Sequence, residues 1–149
     1  MLILAFLSNK INAQEEQQLD KLPKMNTNYS IAIHGGAGNM VKKNLTPEKE
    51  AEYKAKLKEA LEKGRSMLAD GAVATDVVEA VIKIMEDSPL FNAGKGSVFN
   101  HEGKHEMDAA IMDGHNLKAG AVTCVSNIRN PIELARKVMD ESEHVLLSG

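Results

Sequence analysis

Three short segments carry residue types that could do chemistry. The first is His101-Glu102-Gly103-Lys104-His105, an HExxH pattern. On a helix this spacing sets two imidazoles on one face for a zinc ion, with the glutamate as base. Here Asn100 precedes the pattern, Gly103 interrupts it and strand-like segments flank it. A solvated hairpin turn is therefore expected, with a zinc peptidase using His101 and His105 as the rival. The second segment is His34-Gly35-Gly36-Ala37-Gly38. A glycine-rich loop after a strand can offer backbone N–H groups to an anion or oxyanion. It can equally be a tight turn in which His34 is hydrogen-bonded internally. No G-x-S-x-G elbow, dinucleotide-binding pattern or phosphate loop accompanies it. The third segment, Leu90-Phe91-Asn92-Ala93-Gly94-Lys95-Gly96-Ser97, sets a carboxamide among apolar and small residues. The residues alone assign it no reaction.

Composition narrows the classes. The 149 residues fit one domain or a large piece of one, with 43% hydrophobic and 26% charged side chains. The net charge is −3, and lysines are interspersed with glutamates. That balance gives no electrostatic footprint for nucleic acid. Tryptophan is absent and Phe plus Tyr number only five, which disfavours base-stacking platforms. Cys124 is the single cysteine, so an intramolecular disulfide is impossible. It lies in the apolar run AGAVTCV and is expected to be a small buried core residue. The opening MLILAFL, followed by a small residue at Ala13, resembles an export signal over residues 1–13. It is too short to span a bilayer, so no membrane insertion is expected. Export implies a periplasmic or secreted protein, with the cytoplasm as the alternative. Residues 14–29 read as a polar linker, and 30–149 as the folded part.

The elements that must position these segments follow from periodicity and punctuation. Ser30–His34 is expected to be a strand. Thr46-Pro47-Glu48 opens a helix with apolar positions at Tyr53, Leu57, Ala60, Leu61, Gly64 and Leu68, and Gly71 is its stop. A second, well-buried helix starts near Thr75 and ends before Pro89. The segments SVFN, EMDAAIMDG and KAGAVTCVS are expected strands, joined by turns at Asn100–Gly103 and Asp113–Asn116. Asn130-Pro131 opens a last helix. The order suits an α+β fold, with helices grouped on one face of a mostly antiparallel sheet. At least one sheet face is left without a cover, and HVLLSG ends the chain on an apolar segment. A truncated chain, or one subunit of a larger fold, is the natural inference.

Taken together, HGGAG, then PLFNAGKGSVFN, EMDAAIMDG, KAGAV and a helix opening at RNP closely resemble the plant-type asparaginase and isoaspartyl peptidase family of N-terminal-nucleophile hydrolases. The resemblance covers residues 30–149, and Pro89–Pro131 is its specific part. It implies the first part of a four-layer αββα sandwich. It implies hydrolysis of β-aspartyl peptides and of the asparagine side-chain amide by a threonine that self-cleavage frees. That threonine belongs to the family's second half, so no catalytic nucleophile is expected in this chain. An inactive partial chain of the family is the alternative. Asn92 corresponds to an active-site asparagine, and Gly35, Gly36 and Gly38 to a glycine loop near the scissile bond. The carbonyl oxygens of Met85, Glu86, Ser88, Phe91, Ala93 and Lys95 correspond to a structural sodium site; no catalytic cofactor is implied. The implied partners are a small-molecule or dipeptide substrate, the protein's own C-terminal (β) subunit, and a second αβ unit in a dimer.

Overall fold

The structure, a computed structural model, describes residues 29–36 and 45–149. The expected export signal and most of the expected linker lie outside the described residues. The chain divides after Ser30, and every helix and strand described falls in Ile31–Gly149. In order these are α1 (Pro47–Ala69), α2 (Ala74–Glu86), β1 (Met107–Met112), β2 (Ala119–Val125), α3 (Pro131–Glu141) and β3 (Leu146–Ser148). A short 3-10 turn occupies Gly94–Gly96. The fold is α+β.

The helix boundaries are set by local chemistry. Thr46 Oγ1 accepts from the Lys49 N–H at 3.2 Å, which satisfies one of the donors orphaned at the start of α1. Pro47 takes the first helical position. Gly71 ends the run in a left-handed conformation, φ +82°, where a side chain would be strained. Ala60, Val77 and Val81 form a core between α1 and α2, with Ile31 and Ile33 packed against it. Ile31 and Ile33 are half-buried, and Ser30, Ala32 and His34 are exposed. They pair with no strand among the described residues, so the expected strand there is not formed. The alternation reports burial; a strand also needs a neighbour for its backbone groups.

The sheet order is β1-β2-β3, antiparallel between β1 and β2 and parallel between β2 and β3. The expected strand SVFN reduces to a single bridge, Phe99 to His105. The apolar segment HVLLSG, to which the sequence assigns no element, supplies β3. Helix α3 buries Ile132, Ala135, Val138 and Met139 against Met107, Ile111, Val122 and Val125 of the sheet. Its approach is close because β2 has no side chain at Gly120. A Cβ there would stand 2.2 Å from the Ala135 carbonyl oxygen. On the strands, Met112, Leu146 and Leu147 are exposed. No helix among the described residues is long and apolar enough to cross a membrane.

Cys124 is exposed, contrary to the buried core position expected for it. Strict alternation through AGAVTCV would bury residues 120, 122 and 124. The β1–β2 register instead shifts between Met107 and Ala109, and the buried positions become Val122 and Val125. Asp108 fills this bulge. Its Oδ1 accepts from Thr123 Oγ1 at 2.6 Å and from the Cys124 N–H at 3.0 Å. The Thr123 hydroxyl, then the Cys124 amide, hold the Asp108 carboxyl below its usual range. Cys124 takes φ +56° and is turned out of the core.

Candidate active site

The site is built around the loop that leaves α2. Asp87 and Glu86 tie the end of α2 to the start of α3. Asp87 accepts a bidentate pair from Arg129, Nε to Oδ1 at 2.8 Å and Nη2 to Oδ2 at 3.0 Å, and Arg129 lowers the Asp87 carboxyl. Glu86, 3% exposed, accepts the Ile132 N–H on Oε1 at 3.0 Å. It thereby caps α3 from another helix, because Asn130 at the N-cap makes no capping bond of its own. Glu86 Oε2 is buried and makes no hydrogen bond within 3.5 Å among the described residues. Burial raises the Glu86 carboxyl, with the Ile132 amide and the Asn130 side chain opposing the shift.

Between these anchors the backbone is wound tightly. Ser88 is buried, and its Oγ accepts from the Leu90 N–H at 3.3 Å. Gly94, at φ +51°, lies so close to Glu86 that a Cβ would stand 2.4 Å from the Glu86 carbonyl oxygen. A Cβ on Gly96 would stand 2.2 Å from the Phe91 carbonyl oxygen. Both positions therefore require glycine. Asn92 stands on the outer side of this winding. Its Oδ1 accepts from the Val98 N–H at 2.9 Å. A backbone donor fixes which end of the carboxamide is oxygen, so the NH2 group is the end left for another partner.

A cavity of about 780 Å³ brings the second and third sequence segments together. His34, Gly35, Gly36 and Asn92 all line it. Gly35 is the close contact between the two loops: a Cβ there would meet the Phe91 ring at 3.5 Å. Tyr53 packs edge-on against Phe91, ring centroids 5.8 Å apart. Gly38 lies outside the described residues. The Gly36 N–H donates to His34 Nδ1 at 3.1 Å. The internal bond considered for His34 is therefore present, and this glycine donor is already used. Lys49 and Tyr53 of α1 also line it, neither of them a site residue expected from the sequence. Helical spacing marked Tyr53 only as an apolar position.

The HExxH segment does not form a helix. Asn100 Oδ1 accepts from the Glu102 and Lys104 N–H groups, both at 2.9 Å, and Gly103 takes φ +73°. This is the hairpin turn expected from the sequence. His105 is held by Ser97 Oγ at 3.1 Å from Nδ1 and by the Phe99 ring, centroids 4.2 Å apart. Among the described residues no group of three His, Cys, Asp or Glu side chains is placed to hold a metal ion.

Sequence comparison assigns this arrangement to a known group. A family profile described as asparaginase matches residues 27–149. The chain belongs to the asparaginase family. It is 49% identical over 119 residues to the isoaspartyl peptidase of Salmonella typhimurium, covering 80% of this chain and 38% of that protein. It is 50% identical over 125 residues to a putative isoaspartyl peptidase/L-asparaginase of Dictyostelium discoideum, covering 84% of this chain and 36% of the relative. A plant-type L-asparaginase of Pyrococcus horikoshii is 50% identical over 120 residues, with 80% and 38% covered. The chain thus spans less than two-fifths of the length of these relatives.

Proposed function

We propose that this chain supplies the first part of an enzyme that hydrolyses β-aspartyl peptides and the side-chain amide of L-asparagine. The observation that carries the reading is the shared cavity. Two segments far apart in sequence, His34–Gly36 and the Asn92 loop, meet at one concave surface. Catalytic sites are commonly built from loops that a rigid scaffold positions in this way. The names of the relatives supply the substrate class. The nucleophile in this reading is a threonine freed by self-cleavage in a C-terminal part outside these residues. Its own α-amino group takes the hydroxyl proton, and an acyl-enzyme is opened by water. The sheet residues exposed here are covered in the complete four-layer sandwich, and two αβ units form the dimer.

Residues 1–149 alone should then have no amidase activity, while the complete enzyme should release ammonia from asparagine and the second residue from a β-aspartyl dipeptide. Ammonia release by the isolated chain above a heat-killed control would argue against an external nucleophile. A complete enzyme inert on both substrates would remove the reading.

We further propose that the winding of the loop holds a structural sodium ion. The Phe91 and Ala93 carbonyls each accept one N–H within the loop, from Ala93 at 2.8 Å and Gly96 at 3.0 Å, and each retains a second lone pair. The proposed ring is the carbonyls of Met85, Glu86, Ser88, Phe91, Ala93 and Lys95. Oxygen-only ligation suits a hard cation and asks little of the side chains. The ion would hold the loop's shape and take no part in bond breaking. Ser88→Ala should therefore retain sodium in a crystal structure of the complete enzyme. Its stability should fall by about 1 kcal/mol, because the Leu90 N–H loses its acceptor. Loss of the ion from this variant would argue against backbone ligation.

A further inference from the structure

The cavity at Asn92 has a charge asymmetry that the proposed bond cleavage does not use. Neither Asp nor Glu lines it among the described residues. Among the described residues, His34 and Lys49 are its two basic side chains. His34 accepts the Gly36 N–H on Nδ1. Lys49 is the lysine among the described lining residues. It sits in the first turn of α1, with its backbone N–H used in the Thr46 cap. Its Nζ is 3.0 Å from Glu52 Oε2 and 5.9 Å from the Tyr53 ring centroid. Both members of the Lys49–Glu52 pair are about half exposed, and Glu52 is not among the lining residues. An exposed pair of this kind is weak and is easily exchanged for a better acceptor.

We infer that Lys49 is a specificity-determining residue that binds the carboxylate of the leaving amino acid in a β-aspartyl dipeptide. The inference rests on the functional reading above. The two substrates in that reading share the aspartyl part, with its α-amino group and α-carboxylate. They differ in what leaves: ammonia from asparagine, an amino acid with a free carboxylate from the dipeptide. A cation reserved for the leaving residue therefore acts on one substrate and spares the other. A charge-assisted bond to a carboxylate is the interaction that a half-exposed lysine beside an aromatic ring can offer.

The test measures kcat/KM of the complete enzyme on three substrates: β-aspartyl-leucine, the same dipeptide as its C-terminal amide, and asparagine. Lys49→Met should lower kcat/KM on the free-acid dipeptide about five- to fiftyfold. On the dipeptide amide and on asparagine the loss should be at least fivefold smaller. Lys49→Arg should restore most of the dipeptide activity, and rising salt should narrow the gap between parent and Lys49→Met. An equal loss on all three substrates would overturn the inference, since it would place Lys49 on the shared aspartyl part or in the scaffold. No loss on any substrate would overturn it too. A parent enzyme inactive on all three would remove the functional reading itself, and is told apart because no variant is needed to see it.

Discussion

Asn92→Asp is expected to lower turnover of the complete enzyme about ten- to a thousandfold while leaving its thermal stability near that of the parent. The geometry separates two jobs that one carboxamide could do. The oxygen accepts the Val98 N–H at 2.9 Å and so holds the loop. The NH2 group stays available in the cavity lining as a donor. A donor there can steady a threonine hydroxyl oxygen, or negative charge developing on the attacked amide, without adding charge of its own. Aspartate keeps the acceptor for Val98 and removes the donor. Alanine removes both.

The two variants together decide the role. If the donor matters to the reaction, Asp and Ala should lose turnover alike, and only Ala should lose stability. That stability loss should be below about 1 kcal/mol, because the Val98 N–H is near enough to solvent to find water. If Asn92 merely satisfies its own loop, Ala should lose stability first. Asp should then turn over at the parent rate per folded molecule. Active-site titration and a thermal melt on one preparation give both quantities.

The helices were legible in the sequence because their signals are local. Thr46-Pro47, Gly71 and Pro131 each act within a turn of themselves, and the helices begin and end beside them. Strands depend on a partner, and there the reading was uneven. β1 and β2 are joined by a turn rich in Asp, Gly and Asn and were found. Ser30–His34 and SVFN have strand-like residues without a ladder, and Leu146–Ser148 gains one from β2. Cys124 was misplaced for a related reason. The phase of β2 is reset by a bulge whose plug, Asp108, lies on another strand. The candidate site shows the same division. The residues of the two glycine-bearing loops allowed a tight-turn reading, and only resemblance marked Asn92 for chemistry. Their meeting at one cavity, and the presence of Lys49 and Tyr53 there, follow from the packing of α1, which helical spacing does not reveal.

Glu86→Ala is expected to destabilise the complete enzyme by about 1–3 kcal/mol, with Glu86→Gln close to the parent at low pH and more stable than it at neutral pH. The alanine loses an acceptor that caps α3 from across the structure. The Ile132 N–H is then buried without a partner, while other ties between α2 and α3 remain, among them Asp87 with Arg129 and Asn130, Lys83 with Glu133, and Arg136 with Asp76. Glutamine keeps an acceptor at that position and removes the ionisable group. The sign of the pH effect follows from burial. The folded carboxyl is raised above its ordinary value of 4.5, so the native state holds this proton more tightly than the unfolded state. Below that value both states are protonated and the parent pays no ionisation cost. As pH rises through the raised value, ionising a carboxyl whose Oε2 makes no hydrogen bond among the described residues costs native stability. Parent and Gln variant should therefore diverge from about pH 4.5 upward, then run parallel once the native carboxyl is ionised. Asp108 is shifted in the opposite direction and is present in both proteins, while the charge of Asp87 adds to the rise of Glu86. Melts of the three proteins across this range test the argument. A parent–Gln difference that does not change with pH would mean that Glu86 is not desolvated in the folded enzyme. An alanine variant as stable as the parent would mean that α3 is capped by another group.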